Sequence, residues 1–120
     1  MIGDLNLVQW HAMIDLAPDE LTEIKRIVRP YVPSQHVLAF GSRISRTARR
    51  SSDLNLVLMG DKEIDPQTLG DFRGAFAESD LPIHVDVLDW QALSKSFQQV
   101  IMHSPVETLQ QPDDPIPQPQ

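Results

Sequence analysis

Gly41 and Ser42 are followed, after ten residues, by Asp53, Leu54 and Asn55, and a further carboxylate, Asp86, stands inside the apolar run IHVDVL. A glycine-serine pair where a strand turns into a helix suits phosphate, because the first helical N–H groups are unpaired and glycine allows close approach. Asp53 and Asn55 are two residues apart, so on a strand they project to one side, roughly 6.6 Å from each other. Leu54 and Leu56 then project to the other. Oxygen-bearing side chains in that arrangement can share a hard divalent cation such as Mg²⁺, which completes its shell with water and substrate phosphate. Asp86 lies between Val85 and Val87. A carboxylate there is costly unless it is paired, bound to metal or set at an exposed edge. The plain alternative is a strand-end aspartate facing solvent.

Positive charge gathers in the same stretch. Arg43, Arg46, Arg49 and Arg50, four of the ten basic residues, fall within one eight-residue window. A cationic loop on an acidic body matches a small polyanion such as a nucleoside triphosphate. Its plain alternative is a solvated loop of surface ion pairs.

These residues need strands to hold them. HVLAF (His36 to Phe40) reads as a buried strand ending at Gly41, and Ser42 to about Ala48 as a short helix. LNLVLM (Leu54 to Met59) and IHVDVL (Ile83 to Leu88) read as a second and third strand. Pro18 opens a helix with Asp19, Glu20 and Glu23 early and Lys25, Arg26 and Arg29 late, the order the helix dipole favours. Leu21, Ile24, Ile27, Val28 and Tyr31 give it one apolar stripe, and Pro30 and Pro33 stop it. Pro66 to Glu78 is predicted helical with Leu69, Phe72, Phe76 and Ala77 inward. Ala92 to His103 is a last helix with Leu93, Phe97, Val100 and Ile101 on its core face. Asp4 to Leu16 fits neither period, and its His11 is a packed or exposed histidine rather than a ligand. Three strands alternating with helices predict an α/β (α+β) fold, a small mixed sheet flanked by helices. The folded domain is expected over 1–105. A Pro/Gln-rich tail over 106–120 is expected to be disordered, since it offers too little apolar surface to offset ordering.

The 120 residues suffice for one domain with a modest core. There is no cysteine, which excludes disulfides and thiolate metal sites and fits the cytoplasm. No apolar run approaches a membrane span, and the N-terminus lacks the pattern of a secretion signal. A net charge of −7 argues against direct nucleic-acid binding.

The pattern Gly41-Ser42, ten residues, Asp53-Leu54-Asn55 resembles the G-S-x10-D-x-D signature of minimal nucleotidyltransferases of the DNA polymerase beta superfamily, over roughly Val32 to Trp90. That resemblance implies a polymerase-beta-like palm and transfer of a nucleoside monophosphate from a triphosphate to a hydroxyl, with two Mg²⁺ ions. It implies nucleotide contacts from Gly41, Ser42, Arg43 and Ser52, with Asp53, Asn55 and Asp86 as the metal and catalytic positions. Small members of this kind resemble antitoxins that move AMP from ATP to a tyrosine of a HEPN-type RNase toxin. The short chain fits a protein acceptor better than a tRNA or an antibiotic. Two positions depart from the pattern. Arg46 stands where Gly is common, and Asn55 stands where the family has Asp. An amide is the poorer ligand and removes a negative charge, so the pocket is expected to survive and the activity to be impaired. Either an engineered inactive variant or a natural pseudoenzyme fits such an Asn. A stoichiometric binding antitoxin and a small-molecule nucleotidyltransferase remain the alternatives.

Overall fold

In the computed structural model, which describes residues 14–45 and 52–112, the apolar runs assemble into one four-stranded sheet. Along the chain come helix α1 (Pro18–Tyr31), strand β1 (His36–Phe40), the one-turn helix α2 (Ser42–Ser45) and strand β2 (Leu54–Met59). Helix α3 (Pro66–Ala77), strand β3 (Val85–Asp89), a 3-10 turn (Trp90–Ala92), helix α4 (Lys95–Met102) and strand β4 (Val106–Gln110) complete it. In space the order is β3-β2-β1-β4. β1 is antiparallel to both of its neighbours, whereas β2 and β3 are parallel. A parallel pair needs a crossover, and α3 provides it.

Alternation divides each strand between two faces. Val37 and Ala39, Leu54, Leu56 and Leu58, and Val85 and Val87 turn towards α1 and α3, where Ile24, Val28, Phe72 and Phe76 close the main core. Phe72 lies between Tyr31, 5.7 Å away, and Phe76, 5.1 Å away. On the second face Phe40 meets Phe97 of α4 edge-on at 6.4 Å. The helices start on local signals. Asp65 accepts from the Thr68 N–H at 3.0 Å ahead of Pro66, and Ser94 accepts from the Phe97 N–H at 3.2 Å. Among the described residues no helix is long and apolar enough to cross a membrane.

Several expectations need correction. The sheet has four strands rather than three, and the domain does not end at residue 105. Residues 106–110, assigned to a disordered tail, form β4 along β1, with Leu109 and Gln110 buried. Two side chains fasten it. Gln110 Nε2 donates to the carbonyls of Val32 and Gln35, both at 2.9 Å. The buried Arg29 donates from Nη1 to Pro33 at 2.6 Å and to Pro112 at 3.4 Å, and from Nη2 to Gln111 at 3.3 Å. Pro30 sits inside the last turn of α1, and the helix ends one residue later at Tyr31, close to where the prolines were expected to stop it. The last helix is shorter than predicted, and of its expected core residues only Ile101 is fully buried; Val100 is 56% exposed. Ala77 is exposed at the end of α3. Arg46, Arg49, Arg50, His11 and residues 113–120 lie outside the described residues.

Candidate active site

Strand register assembles the site. Phe40, the last residue of β1, pairs with Asn55, which pairs on its other side with Asp86. Side chains on one such rung share a face. Because β1 and β2 are antiparallel, the exit of one lies beside the entry of the other, so the Gly41-Ser42 corner leaves the sheet next to Asn55 and Asp53. A 3.0 Å bond from the Leu54 N–H to the His84 carbonyl carries the β2–β3 pairing one step further, which brings Asp53 to the same end. Asp53 and Asp86 are exposed, and Asn55 and Ser42 are half-buried. The rung opens on the face away from α1 and α3.

Gly41 and Asn55 are closely matched. Gly41 has φ +100°, a conformation costly for any residue with a Cβ. A Cβ there would also fall 2.5 Å from Asn55 Nδ2, so the carboxamide packs directly over the glycine. The corner then winds into α2, whose first bond joins the Ile44 N–H to the Gly41 carbonyl at 3.0 Å.

Arg43, expected at the nucleotide, is placed differently. It is buried, and its Nε donates to the Ser52 carbonyl at 3.0 Å while its Nη1 donates to the Asp15 carbonyl at 2.8 Å. The Asp15 N–H returns a bond to the Arg43 carbonyl, also at 2.8 Å. Its guanidinium thus fixes the residue that precedes Asp53. The half-buried Ser52 offers that carbonyl.

The donor set can be tested against magnesium. Two exposed carboxylates, Asp53 and Asp86, flank an amide, all oxygen donors of the kind a hard cation takes. They suit one ion that arrives with phosphate oxygens and water. A second ion would want the charge that Asn55 lacks, and among the described residues no group of three or more His, Cys, Asp or Glu side chains is placed to hold a metal. Two further residues stand beside the predicted set. His84 and Arg73 line, with Asp86, a cavity of about 250 Å³ beside β3. His84 was findable, since it precedes Asp86 by two and shares its side of the strand.

Residues 22–111, from within α1 to one residue past β4, match the family described as Polymerase beta, Nucleotidyltransferase. The chain belongs to that family. This nucleotidyltransferase is 39% identical over 90 residues to a Haemophilus influenzae protein named "Probable protein adenylyltransferase MntA", across 75% of this chain and 79% of that one. Among solved structures it is similar to a crystal structure of a toxin-antitoxin with AMP-PNP, at 25% identity and a TM-score of 0.60, covering 78% of this chain and 73% of the other. It is also similar to a structure of the tri-AMPylated Shewanella oneidensis HEPN toxin in complex with MNT antitoxin. There the identity is 19% and the TM-score 0.58, with 77% and 70% covered. At that identity the likeness is one of fold. Family and fold class therefore agree with what the glycine-serine and acidic spacing implied.

Proposed function

We propose that this nucleotidyltransferase is the antitoxin of a toxin-antitoxin pair, a Mg²⁺-dependent protein adenylyltransferase that moves AMP from ATP to a tyrosine of a HEPN-type toxin, working at a reduced rate because of Asn55. The observation that carries this reading is the rung Phe40–Asn55–Asp86 beside the Gly41-Ser42 corner. The relatives with adenylyltransferase and toxin-antitoxin names support it. The chain would act in the cytoplasm, where ATP and a toxin are both at hand, without contacting nucleic acid directly.

In this reading the Gly41-Ser42 corner and the start of α2 receive the triphosphate, with backbone N–H groups turned to phosphate oxygens. Asp53 and Asp86 would hold magnesium, with the Asn55 amide oxygen as a weak third donor, and the ion would supply positive charge against the phosphates. Asp86 faces the acceptor hydroxyl and takes its proton, which passes to solvent. The acceptor oxygen bonds to the α-phosphorus as the bond from that phosphorus to the α–β bridging oxygen breaks, and pyrophosphate departs with the electron pair. Arg43 keeps Ser52, and with it Asp53, in place.

The test uses Asn55→Asp, incubated with magnesium, α-labelled ATP and the HEPN-type protein encoded by the adjoining gene. Labelled tyrosine should appear at a rate at least about tenfold above the Asn55 protein, the lower end of what loss of a partner that only orients a metal ligand costs. A partner that stays unlabelled with either protein contradicts catalysis. A second reading, a stoichiometric binding antitoxin, draws on Asn55 and the incomplete acidic set. Mixing protein and toxin in EDTA separates the two: toxin inhibition that persists favours binding, and inhibition that disappears favours transfer.

A further inference from the structure

Among the described residues β3 is one free edge of the sheet. Its His84 carbonyl points to β2, where it accepts from the Leu54 N–H. By strand parity, the N–H and C=O groups of Val85 and Val87 then point away from the sheet. Among the described residues one side chain reaches this row: Arg73 donates from Nε at 3.2 Å and Nη2 at 2.7 Å to the Val87 carbonyl. Among the described residues that leaves the Val85 N–H, the Val85 carbonyl and the Val87 N–H without a bond partner, on two residues that border the cavity of about 250 Å³ and are themselves 7% and 1% exposed. Proteins usually guard an edge like this, and β4, the opposite edge, is bracketed by Pro105 and Pro112.

The cavity is composed for a chain rather than for a small ligand. It falls short of the roughly 300–1,000 Å³ typical of small-molecule sites. One wall is apolar, from Phe76, Leu81 and Ile83 next to the main core, and the other carries His84 and Asp86. An extended peptide beside β3 alternates its side chains between those walls. One residue fills the apolar end, and the next brings its side chain to Asp86.

We infer that the free edge of β3 is the docking site for an extended segment of the protein acceptor, which adds as a fifth strand and presents its hydroxyl-bearing residue to Asp86. This rests on the adenylyltransferase reading above and gives the acceptor its geometry. Main-chain bonds to Val85 and Val87 would supply affinity, and the Phe76–Leu81–Ile83 wall would select the neighbouring residue.

Two measurements on the full chain test it, with the HEPN-type protein of the adjoining gene as probe. Ala77 is exposed and lines the cavity mouth, so Ala77→Trp closes the groove from outside the core. Binding of the probe should weaken by about tenfold or more while ATP binding is unchanged. In the unsubstituted protein, amide exchange at Val85 and Val87 should slow markedly when the probe is bound. A probe that binds while both amides exchange as fast as in the free protein overturns the edge site, as does undiminished binding to a folded Ala77→Trp chain. A probe that binds neither protein overturns the functional reading itself, and the docking site with it.

Discussion

Gly41 carries two constraints at once, a positive φ and a side chain lying over its Cα. Substituting Gly41→Ala should therefore cost about 1–3 kcal/mol for the strained backbone alone. It should also push Asn55 off the rung. Denaturant unfolding should show the lower stability and calorimetry a loss of ATP binding; a Gly41→Ala chain of full stability and affinity would contradict the packing. Arg43 poses the opposite case, a charged residue whose work is internal. Arg43→Lys should lose about 2–3 kcal/mol, because one ammonium cannot span the Ser52 and Asp15 carbonyls that the guanidinium fork reaches. A thermal melt unchanged by that substitution would return Arg43 to the nucleotide. At this scale the positions of Gly41, Asp53, Asn55 and Asp86 were legible, since a period of two on a strand decides which side chains share a side. The burial of Arg43 was not. Its partner Asp15 lies 28 residues away, and no local pattern tells where a long side chain folds back.

The strands that carry the site were legible as elements for a related reason. HVLAF and LNLVLM are short, largely apolar runs each closed by a glycine, and β1 and β2 occupy the residues those runs predicted. β4 escaped notice because VETLQ is short, mixed in polarity and set between prolines, so nothing in it favours a strand in isolation. Its order comes from outside: the ladder with β1, and the grip of Arg29 and Gln110 on carbonyls of distant segments. Arg29→Ala removes donors to Pro33, Gln111 and Pro112 and should destabilise the protein by about 2–4 kcal/mol, as for bonds from a buried charged group. Amide exchange should locate the loss in β4 and the α1–β1 connection. Loss spread evenly over α3 and β3 would show that Arg29 does something else. Helix α4 was misjudged for another reason: one helix lying over the second face buries only the residues that point straight at it, and Ile101 is the one fully buried.

Among the described residues, helices α1 and α3 cover one face and the opposite face is open at one end, where β1 exits and β2 and β3 begin. That separation lets a small chain keep a dry core and a polar site on one sheet. It also makes β4 part of the fold rather than an appendage. A chain ending at residue 105 should fail to unfold cooperatively in a thermal melt, since loss of Leu109 and Gln110 would leave β1 and the main core uncovered. Cooperative unfolding at the full-length midpoint would contradict this. The central claim, that the rung beside the glycine-serine corner receives a nucleotide, is independent of turnover and of Asn55. It is tested most directly by titrating Mg²⁺-ATP into isotope-labelled protein and following the amide resonances. Shifts are expected at Gly41, Ser42, Asp53, Asn55 and Asp86, with Ser34 and Gly60 at the far end of the sheet unmoved. Shifts confined to that far end, or none at millimolar nucleotide, would contradict it.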